Sequence, residues 1–456
     1  GTLRFNTADA NDGTETTARG GAVANVGDYG HTIVDISDVL ASDNRVSADG
    51  EGTASVFGGG IFNRSGVLST LSRLTVVRST LRNNRLDASG DVASLPRGGG
   101  IFTEGGAVVV RDSTLSGNDA SIVGDGGAIY SRRSLSVVNS TLSGNKARTG
   151  GGLYAQSGAA SLSSATVANN SATFDGGGIV AVLGAAVTLR NTIVAKNILL
   201  LVGVTPSPDD LLGAFAMTSS YNWIGAGTGS TGIDNAASGN HVGTVGNPLE
   251  PFLGPLANNG GFTQTHLLYP ISPLVDAGDP AFDPGGFSPA LSMDQRLETR
   301  VIDGNRDAVM RIDIGAVEVR SSLFADLNGD GRVGLVDLMV IQRHYLLDGP
   351  LTYLDGYLNG DTVVDAADVS LLVDNLGAVL APASPAAPAA VLSRSTDADP
   401  AAAPALRERP PRLRAAARRE AGVRSMPRRL DSQGVDSVMQ SQVSDVGALR
   451  ASRSRR

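Results

Sequence analysis

Short runs in which apolar and polar residues alternate recur along the first half of the chain. The clearest pair lies between residues 98 and 145, where GGGIFTEGGAVVVRDSTLSGN is followed by GGAIYSRRSLSVVNSTLSGN. Each copy holds three alternating runs, and Gly, Asn, Ser and Asp stand between the runs. Alternation is typical of a half-buried β-strand, and those four residue types are typical of turns. A unit repeated in this way predicts stacked coils rather than one globule.

Three strands and three turns per repeat predict one coil of a parallel β-helix, in which each strand pairs with its equivalents in the neighbouring coils. A helical repeat is excluded because the segments are rich in Gly, Ser, Thr and Asn and lack a helical stripe. We predict two aliphatic columns inside the tube and an asparagine column at one corner. These columns are Ile101, Ile129, Leu153 and Ile179; Leu115, Leu142, Val167 and Ile193; and Asn118, Asn145, Asn170 and Asn197.

The two halves of the repeat resemble the GGAI and FxxN motifs of chlamydial-type polymorphic outer membrane protein repeats. The GGAIYS run matches the first motif well, whereas the second motif keeps its Asn and replaces Phe by Leu, Val or Ile. The resemblance implies a right-handed parallel β-helix, which we assign to residues 1–246, in a secreted or surface protein of a bacterium. The expected location is therefore extracellular or on the outer surface of the cell.

Residues 247–320 contain a second recognisable stretch, NPLEPFLGPLANNGGFTQTHLLYPISPLVDAGDP, which is followed by DQR and RIDIGAVEV. This stretch resembles the terminal segment of bacterial surface β-helix proteins of the choice-of-anchor Q kind. The resemblance implies the end of the solenoid, so we expect a cap here. Its polar residues are predicted to hold irregular loops through hydrogen bonds and ion pairs rather than to catalyse. They are His266, Asp276, Asp279, Asp294, Arg296, Asp313 and Glu318.

The sharpest chemical motif is DLNGDGRVGLVD at residues 326–337. Asp326, Asn328, Asp330 and Asp337 stand at loop positions 1, 3, 5 and 12, and Arg332 offers its carbonyl oxygen at position 7. Position 6 is a glycine, where a loop of this kind turns sharply. Calcium requires several oxygen ligands around one point, and this EF-hand-like spacing supplies them. The sequence therefore predicts a Ca²⁺ site in the first loop.

A second loop with similar spacing, YLNGDTVVDAAD, follows at residues 357–368. Its candidate ligands are Asn359, Asp361, the Val363 carbonyl oxygen and Asp368. Tyrosine at position 1 removes a carboxylate, and threonine replaces the turn glycine at position 6. Whether this degenerate loop also binds calcium is left open by the sequence.

Each loop leads into an apolar helical segment, and the two loop–helix units together resemble a type I dockerin over residues 323–379. The resemblance implies a calcium-dependent tethering domain that binds a cohesin-like protein. It also implies that loop positions 10 and 11 determine which partner binds. These positions are Leu335 and Val336 in the first loop and Ala366 and Ala367 in the second. Because dockerins often carry Ser-Thr at these positions, the apolar pairs leave the identity of the partner open.

Charge is distributed unevenly along the chain, whose formal net charge is −8. Residues 381–456 contain 14 Arg but only 7 Asp or Glu, so the remainder of the chain is strongly acidic. An acidic body argues against nucleic-acid binding and favours divalent cations in particular loops. The tail opens with APASPAAPAA and becomes rich in arginine, which predicts disorder. No apolar stretch is long enough for a transmembrane helix, and the absence of cysteine excludes disulfides and thiol catalysis.

Together these features favour a secreted or cell-surface scaffold that binds rather than catalyses. The expected partner is a cohesin-like protein or another cell-surface component, and a polysaccharide is a further candidate. The alternative is a polysaccharide-degrading enzyme, similar to a pectate lyase or a glycoside hydrolase, that carries a dockerin. Such hydrolases need two carboxylates at a defined separation. The acidic residues of the regular coils do not recur in one register, and Trp223 is the only tryptophan that could bind a sugar ring.

Overall fold

The chain is built mainly from β-strands, most of which pair in parallel with strands of neighbouring repeats. The computed structural model describes residues 1–10, 15–27, 32–65, 72–92, 96–120, 123–182, 184–269, 272–305, 307–320, 325–328, 330–346, 356, 358 and 363–379. The basic tail and the ligands Asn359 and Asp361 predicted for the second loop lie outside these residues.

Three parallel sheets receive one strand from each successive coil, in chain order. Sheet A consists of Thr2–Arg4, Leu40–Ser42, Thr80–Arg82, Thr114–Ser116, Thr141–Ser143, Thr166–Ala168, Ile193–Ala195, Trp223–Ile224 and His241–Val242. Sheet C consists of Val23–Gly27, Ile61–Ser65, Ile101–Thr103, Ile129–Ser131, Leu153–Ala155, Ile179–Ala181, Leu211–Ala214 and Ser230–Thr231. Sheet D consists of Ile33–Ser37, Arg73–Val77, Ala107–Arg111, Leu135–Val138, Gly158–Ser163 and Ala185–Arg190. This stacking is the arrangement of a parallel β-solenoid.

Several coils contain a fourth strand, which the three-strand repeat did not predict. These strands form sheet B, between the strands of sheets A and C. One section contains Thr7–Ala10, Glu15–Arg19, Arg45–Phe57 and Arg85–Val92, and the other contains Lys146–Thr149, Ser171–Asp175, Ile198–Leu199 and Ser207–Pro208. The extra strands form because the segments that the sequence analysis treated as turns or loops run alongside their equivalents and pair with them.

The interior of the tube contains the aliphatic columns that the repeat predicted, with one correction. Ile101, Ile129, Leu153 and Ile179 pair in register across sheet C, and all are fully buried. In sheet A the column runs from Leu115 through Leu142 and Val167 to Val194, so the prediction of Ile193 was wrong. Adjacent residues of a strand point to opposite faces, and Ile193 therefore lies on the outer face of sheet A.

Corners of the coil require left-handed backbone, which explains the glycine of each repeat. Gly98 and Gly126, which open the two clearest repeats, have φ angles of 74° and 73°. The next glycine of the motif meets a second constraint: a Cβ atom on Gly99 would lie 2.6 Å from the Gly127 carbonyl oxygen. Only glycine satisfies both demands without strain.

An asparagine ladder occupies a second corner, as the sequence predicted. Each Asn side chain donates from Nδ2 to the Oδ1 atom of its equivalent in the next coil, at 2.9 Å for Asn118 to Asn145 and 2.8 Å for Asn145 to Asn170. The same Oδ1 atom also accepts the backbone N–H of the preceding Asn. The ladder consists of seven asparagines, of which Asn6 is the first and Asn197 the last, and it ends at Asp210.

Aromatic residues form a separate stack on the outer face of sheet C. Phe62, Phe102, Tyr130 and Tyr154 follow one another with ring centroids 5.2 to 5.4 Å apart, and all four are buried. Stacked rings of this kind stabilise the pairing of strands beyond the burial of their area.

The 247–320 segment lies beside the solenoid and covers the outer face of sheet A, rather than only closing its end as predicted. Its strands Leu253–Ala257 and Thr265–Leu268 form an antiparallel hairpin. Leu274 and Ile314 of the segment pack with Ile193 and Trp223 in one apolar cluster. We refer to residues 247–320 as the flank segment. Because its outward apolar residues are covered in this way, sheet A has a second hydrophobic layer, and Trp223 is buried.

Short helices complete the described chain. Two turns of 3₁₀ helix lie at Ala237–Gly239 and Pro284–Gly286. Two α-helices follow the flank segment, α1 at Leu335–His344 and α2 at Ala366–Asp374. Ile341 of α1 and Leu372 of α2 are fully buried in a small apolar core of their own.

Candidate metal centre and partner surface

The first loop is organised around the Asp326 carboxylate. Its Oδ2 atom accepts the backbone N–H of Gly331 at 2.8 Å, and its Oδ1 atom accepts the backbone N–H of Asp330 at 3.2 Å. Asn328 accepts from the backbone N–H of Asp330, and Asp330 accepts from that of Arg332. Asn328 and Asp330 each bond to the backbone two residues ahead, in two successive Asx turns, and Asp326 spans the turn to residues four and five ahead. Gly331 at position 6 has φ 80°, the left-handed conformation that this turn needs.

Asp337 ties the end of the loop to its beginning. Its Oδ1 atom accepts the backbone N–H groups of Leu327 and Asn328, and its Oδ2 atom accepts the N–H of Gly334 at 2.7 Å. The residue is buried in the first turn of α1. Its carboxylate therefore lies at the helix N-terminus, where negative charge is favoured, and faces the start of the loop.

The second loop–helix unit repeats these contacts. Asp368 accepts the backbone N–H groups of Leu358 and Asp365, at 2.6 and 2.8 Å, as Asp337 accepts those of Leu327 and Gly334. The two units also bond to one another reciprocally. Gly377 N–H, after α2, donates to the Val333 carbonyl oxygen, and Leu346 N–H, after α1, donates to the Val364 carbonyl oxygen. The two copies thus pack around one shared apolar core.

The positions predicted to contact a partner are exposed in both units. Leu335 and Val336 are 72% and 53% exposed, and Ala366 and Ala367 are exposed at the same place in α2. Met339, one turn further along α1, is also exposed. Exposed apolar side chains of this size in one patch are typical of an interaction surface.

The donor set of the first loop fits calcium in its chemistry. Asp326, Asn328, Asp330 and Asp337 offer carboxylate and amide oxygens, and hard cations prefer such ligands. Within the described ranges, no three His, Cys, Asp or Glu side chains already lie together as a metal-binding group. Closure around an ion therefore requires these side chains to move inward, with the Asn328 amide and the Arg332 carbonyl completing the ligands. For the second loop, Val363 and Asp368 are described, and the other two predicted ligands are not.

The polar residues of the flank segment form a buried ionic network, in the structural role predicted for them. Arg300 donates to Glu318 and, at 2.6 Å, to the Asn139 Oδ1 atom of the solenoid. Arg296 pairs with Asp294 at 2.7 Å. Elsewhere along the segment, His266 bonds to Ser143, and Asp279 pairs with Arg190. These contacts attach the flank segment to several coils at once.

Burial raises the pKa of several carboxyl groups in this fold. The pKa of Asp313 rises to about 7 because its carboxyl is fully buried, although the N–H groups of Asp276 and Val319 favour the charged form. Burial and the nearby Asp313 charge raise the pKa of Glu318 well above its usual value. At the end of the asparagine ladder, burial raises the pKa of Asp210 to about 7.

We expect stability to fall as the pH rises from about 4 to about 7, because the folded chain then holds protons that the unfolded chain has released. A raised folded pKa means that stability is fully present below the unfolded pKa and is lost as pH passes the folded value. Urea midpoints measured from pH 5 to pH 8 should decline, by an equivalent of roughly 2 kcal/mol for each of Asp210 and Asp313. Asp210→Asn keeps the Oδ1 acceptor of the ladder and does not titrate, so it should make the decline shallower by the share of this one group, although its Nδ2 cannot accept the Ala226 N–H. An unchanged slope in this variant would contradict the assignment to Asp210.

In comparisons with family models, with curated proteins and with solved structures, no match to this chain is found. In the part of the chain that the structure describes, no helix is both long and apolar enough to cross a membrane.

Proposed function

We propose that this chain is a secreted or cell-surface scaffold of a bacterium, in which a non-catalytic β-solenoid is tethered through a calcium-dependent, dockerin-like unit. The observation that carries the proposal is the duplicated loop–helix unit with apolar residues exposed at equivalent positions of both copies. A solenoid provides a long rigid surface for display. The unit at its C-terminal side would provide the attachment, to a cohesin-like protein or another surface component.

Calcium would serve as a structural ion in this proposal. Asp326, Asp330 and Asp337 would hold it together with the Asn328 amide and the Arg332 carbonyl oxygen. Their negative charges repel one another without a cation, so binding would stiffen the loop and fix the start of α1. The exposed face of α1 would then be presented in one orientation.

We expect Asp330→Ala to remove the calcium ion bound by the first loop, because position 5 loses its carboxylate. Isothermal titration of the full-length chain with CaCl₂ measures the change in stoichiometry. Asp35→Ala, which removes an exposed carboxylate of sheet D, is the matched control and should bind as the unsubstituted chain does. Equal stoichiometry in Asp330→Ala and the unsubstituted chain would rule out this site.

Partner binding is expected to require both calcium and the apolar face of α1. The immobilised chain should capture a protein from the surface fraction of its source organism in CaCl₂ and release it in EDTA. Leu335→Asp combined with Val336→Asp should abolish capture, because two charges would be buried at the interface. Val202→Asp places a charge at a fully exposed apolar residue of the solenoid and should leave capture unchanged. Capture that survives EDTA and the α1 variant would refute tethering through this unit.

A further inference from the structure

Residues 303–308 of the flank segment, DGNRDA, place oxygen-bearing side chains at alternate positions. Asp303, Asn305 and Asp307 correspond in spacing to positions 1, 3 and 5 of the first loop. Ala308 stands at the position of the turn glycine and has φ 67°, against 80° for Gly331. The sequence analysis did not single out this stretch, because it lacks that glycine and a carboxylate at position 12.

The described backbone of this stretch repeats three of the four hydrogen bonds that the side chains at positions 1, 3 and 5 accept in the first loop; the bond from position 5 N–H to position 1 has no counterpart. Ala308 N–H donates to Asp303 Oδ2 at 3.0 Å, as Gly331 N–H donates to Asp326. Asp307 N–H donates to Asn305 at 2.9 Å, and Val309 N–H donates to Asp307 at 2.8 Å. The side chains of Asp303, Asn305 and Asp307 are therefore arranged around the same side of the turn.

The missing carboxylate of position 12 is supplied from elsewhere in the fold. Asp276 accepts the N–H of Gly304 at 3.0 Å and that of Asn305 at 2.7 Å. Asp337 accepts the two equivalent N–H groups in the first loop. Asp276 is 2% exposed, so its carboxylate is held at the start of the loop. Burial raises the pKa of the Asp276 carboxyl, and the charges of Asp303 and Asp307 add to this rise, so both carboxylates lie within electrostatic reach of Asp276.

One atom of this loop points to a ligand independently of the turn geometry. Asp303 as a residue is only partly buried, but its Oδ1 atom is buried and has no hydrogen-bond partner among the described residues. A buried carboxylate oxygen without a partner is costly, and a bound cation is one of the few groups that satisfy it. The atoms around it are carboxylate and amide oxygens, which select a hard divalent ion.

We propose that Asp276, Asp303, Asn305 and Asp307 form a further Ca²⁺ site. This site belongs to the flank segment and is independent of the two loop–helix units of residues 323–379, which we call the tethering unit. Binding would draw the Asp303 and Asp307 carboxylates inward, since no three acidic side chains among the described residues already lie together as a metal site. The ion would join the 303–308 loop to Asp276 and so cross-link two distant parts of the flank segment.

The test is a calcium titration of the chain in a background that disables both loops of the tethering unit, Asp330→Ala with Asp361→Ala. This background should still bind one calcium ion, and its thermal unfolding should shift upward in CaCl₂. Adding Asp303→Asn and Asp307→Asn keeps the turn acceptors and removes two charges, so both signals should disappear. Asp283→Asn, an exposed turn aspartate of the same segment whose carboxylate accepts the Gly285 N–H, is the matched control and should retain both signals.

A background that binds no ion overturns the proposal, as does an ion that survives Asp303→Asn with Asp307→Asn. The tethering proposal is tested separately, by the difference in stoichiometry between the unsubstituted chain and the background. If those two bind equally, the tethering loops fail while the flank site stands. A circular dichroism spectrum that matches the unsubstituted chain shows that each variant is folded.

Discussion

Asn145→Ala is expected to lower the free energy of unfolding of the solenoid by about 4 kcal/mol, because it breaks four buried hydrogen bonds at once. Asn145 accepts from the backbone N–H and the Nδ2 atom of Asn118, and it donates to Asn170 and to the Leu115 carbonyl oxygen. Alanine makes none of these contacts and leaves the backbone N–H and one Nδ2 hydrogen of Asn118 without their acceptor, whereas Asn170 Oδ1 keeps the backbone N–H of residue 145.

Chemical denaturation followed by circular dichroism measures this effect. Asn247→Ala removes the same amide from an exposed residue, so it should change the free energy of unfolding by less than about 0.5 kcal/mol. Hydrogen exchange should locate the loss in the coils that hold Asn118, Asn145 and Asn170. A loss no larger than that of Asn247→Ala would mean that the ladder follows the fold without stabilising it.

Arg300→Met is expected to destabilise the attachment of the flank segment by about 3 to 5 kcal/mol, since it leaves a buried carboxylate without its counter-charge. Arg300 and its partner Glu318 both have fully buried side chains. Arg300 also donates to the Gly315 carbonyl oxygen and to Asn139 of the solenoid, so its loss removes a direct link between the two parts. Limited proteolysis and denaturant unfolding should detect release of the flank segment before the coils unfold.

A double variant distinguishes the effect of the unpaired Glu318 charge from the effect of the lost Arg300 contacts. Arg300→Met with Glu318→Leu removes both ions, and replacing a buried ion pair by apolar residues costs little, so stability should largely return. Arg73→Met breaks an exposed pair with Asp35 and should cost less than about 1 kcal/mol. If the double variant is as unstable as Arg300→Met alone, the hydrogen bonds of Arg300 rather than the uncompensated charge of Glu318 dominate.

The solenoid was predictable because every coil repeats the same local demands. Each coil needs a glycine at a left-handed corner, an inward aliphatic residue and a stacked asparagine. The same residue pattern therefore recurs along the chain and can be recognised from the sequence. The wrong prediction for Ile193 shows that an error of one residue in the strand register moves a side chain from the core to the outer face. Val194, three residues before Asn197, occupies the position that Leu115 holds three residues before Asn118. Counting from the asparagine gives the correct register.

The two candidate calcium loops were likewise visible in the sequence, because all of the predicted ligands of each loop lie within twelve consecutive residues. The described contacts of Asp326, Asp330 and Asp337 follow from that spacing. Their calcium and their partner stay predictions. The reciprocal bonds between the two units were not visible, since they join backbone groups that carry no residue preference.

The sequence by itself determined what is local and repeated: the parallel coils, their core columns, the asparagine corner and the spacing of the candidate calcium loops. Only the tertiary structure decided where non-repeated segments lie, because their contacts join residues far apart in the chain. It placed the flank segment against sheet A, buried the pair of Arg300 and Glu318 beside Asn139, and brought Asp276 to the loop at 303–308. A carboxylate supplied from a distant turn has no signature in the spacing of the loop that it completes.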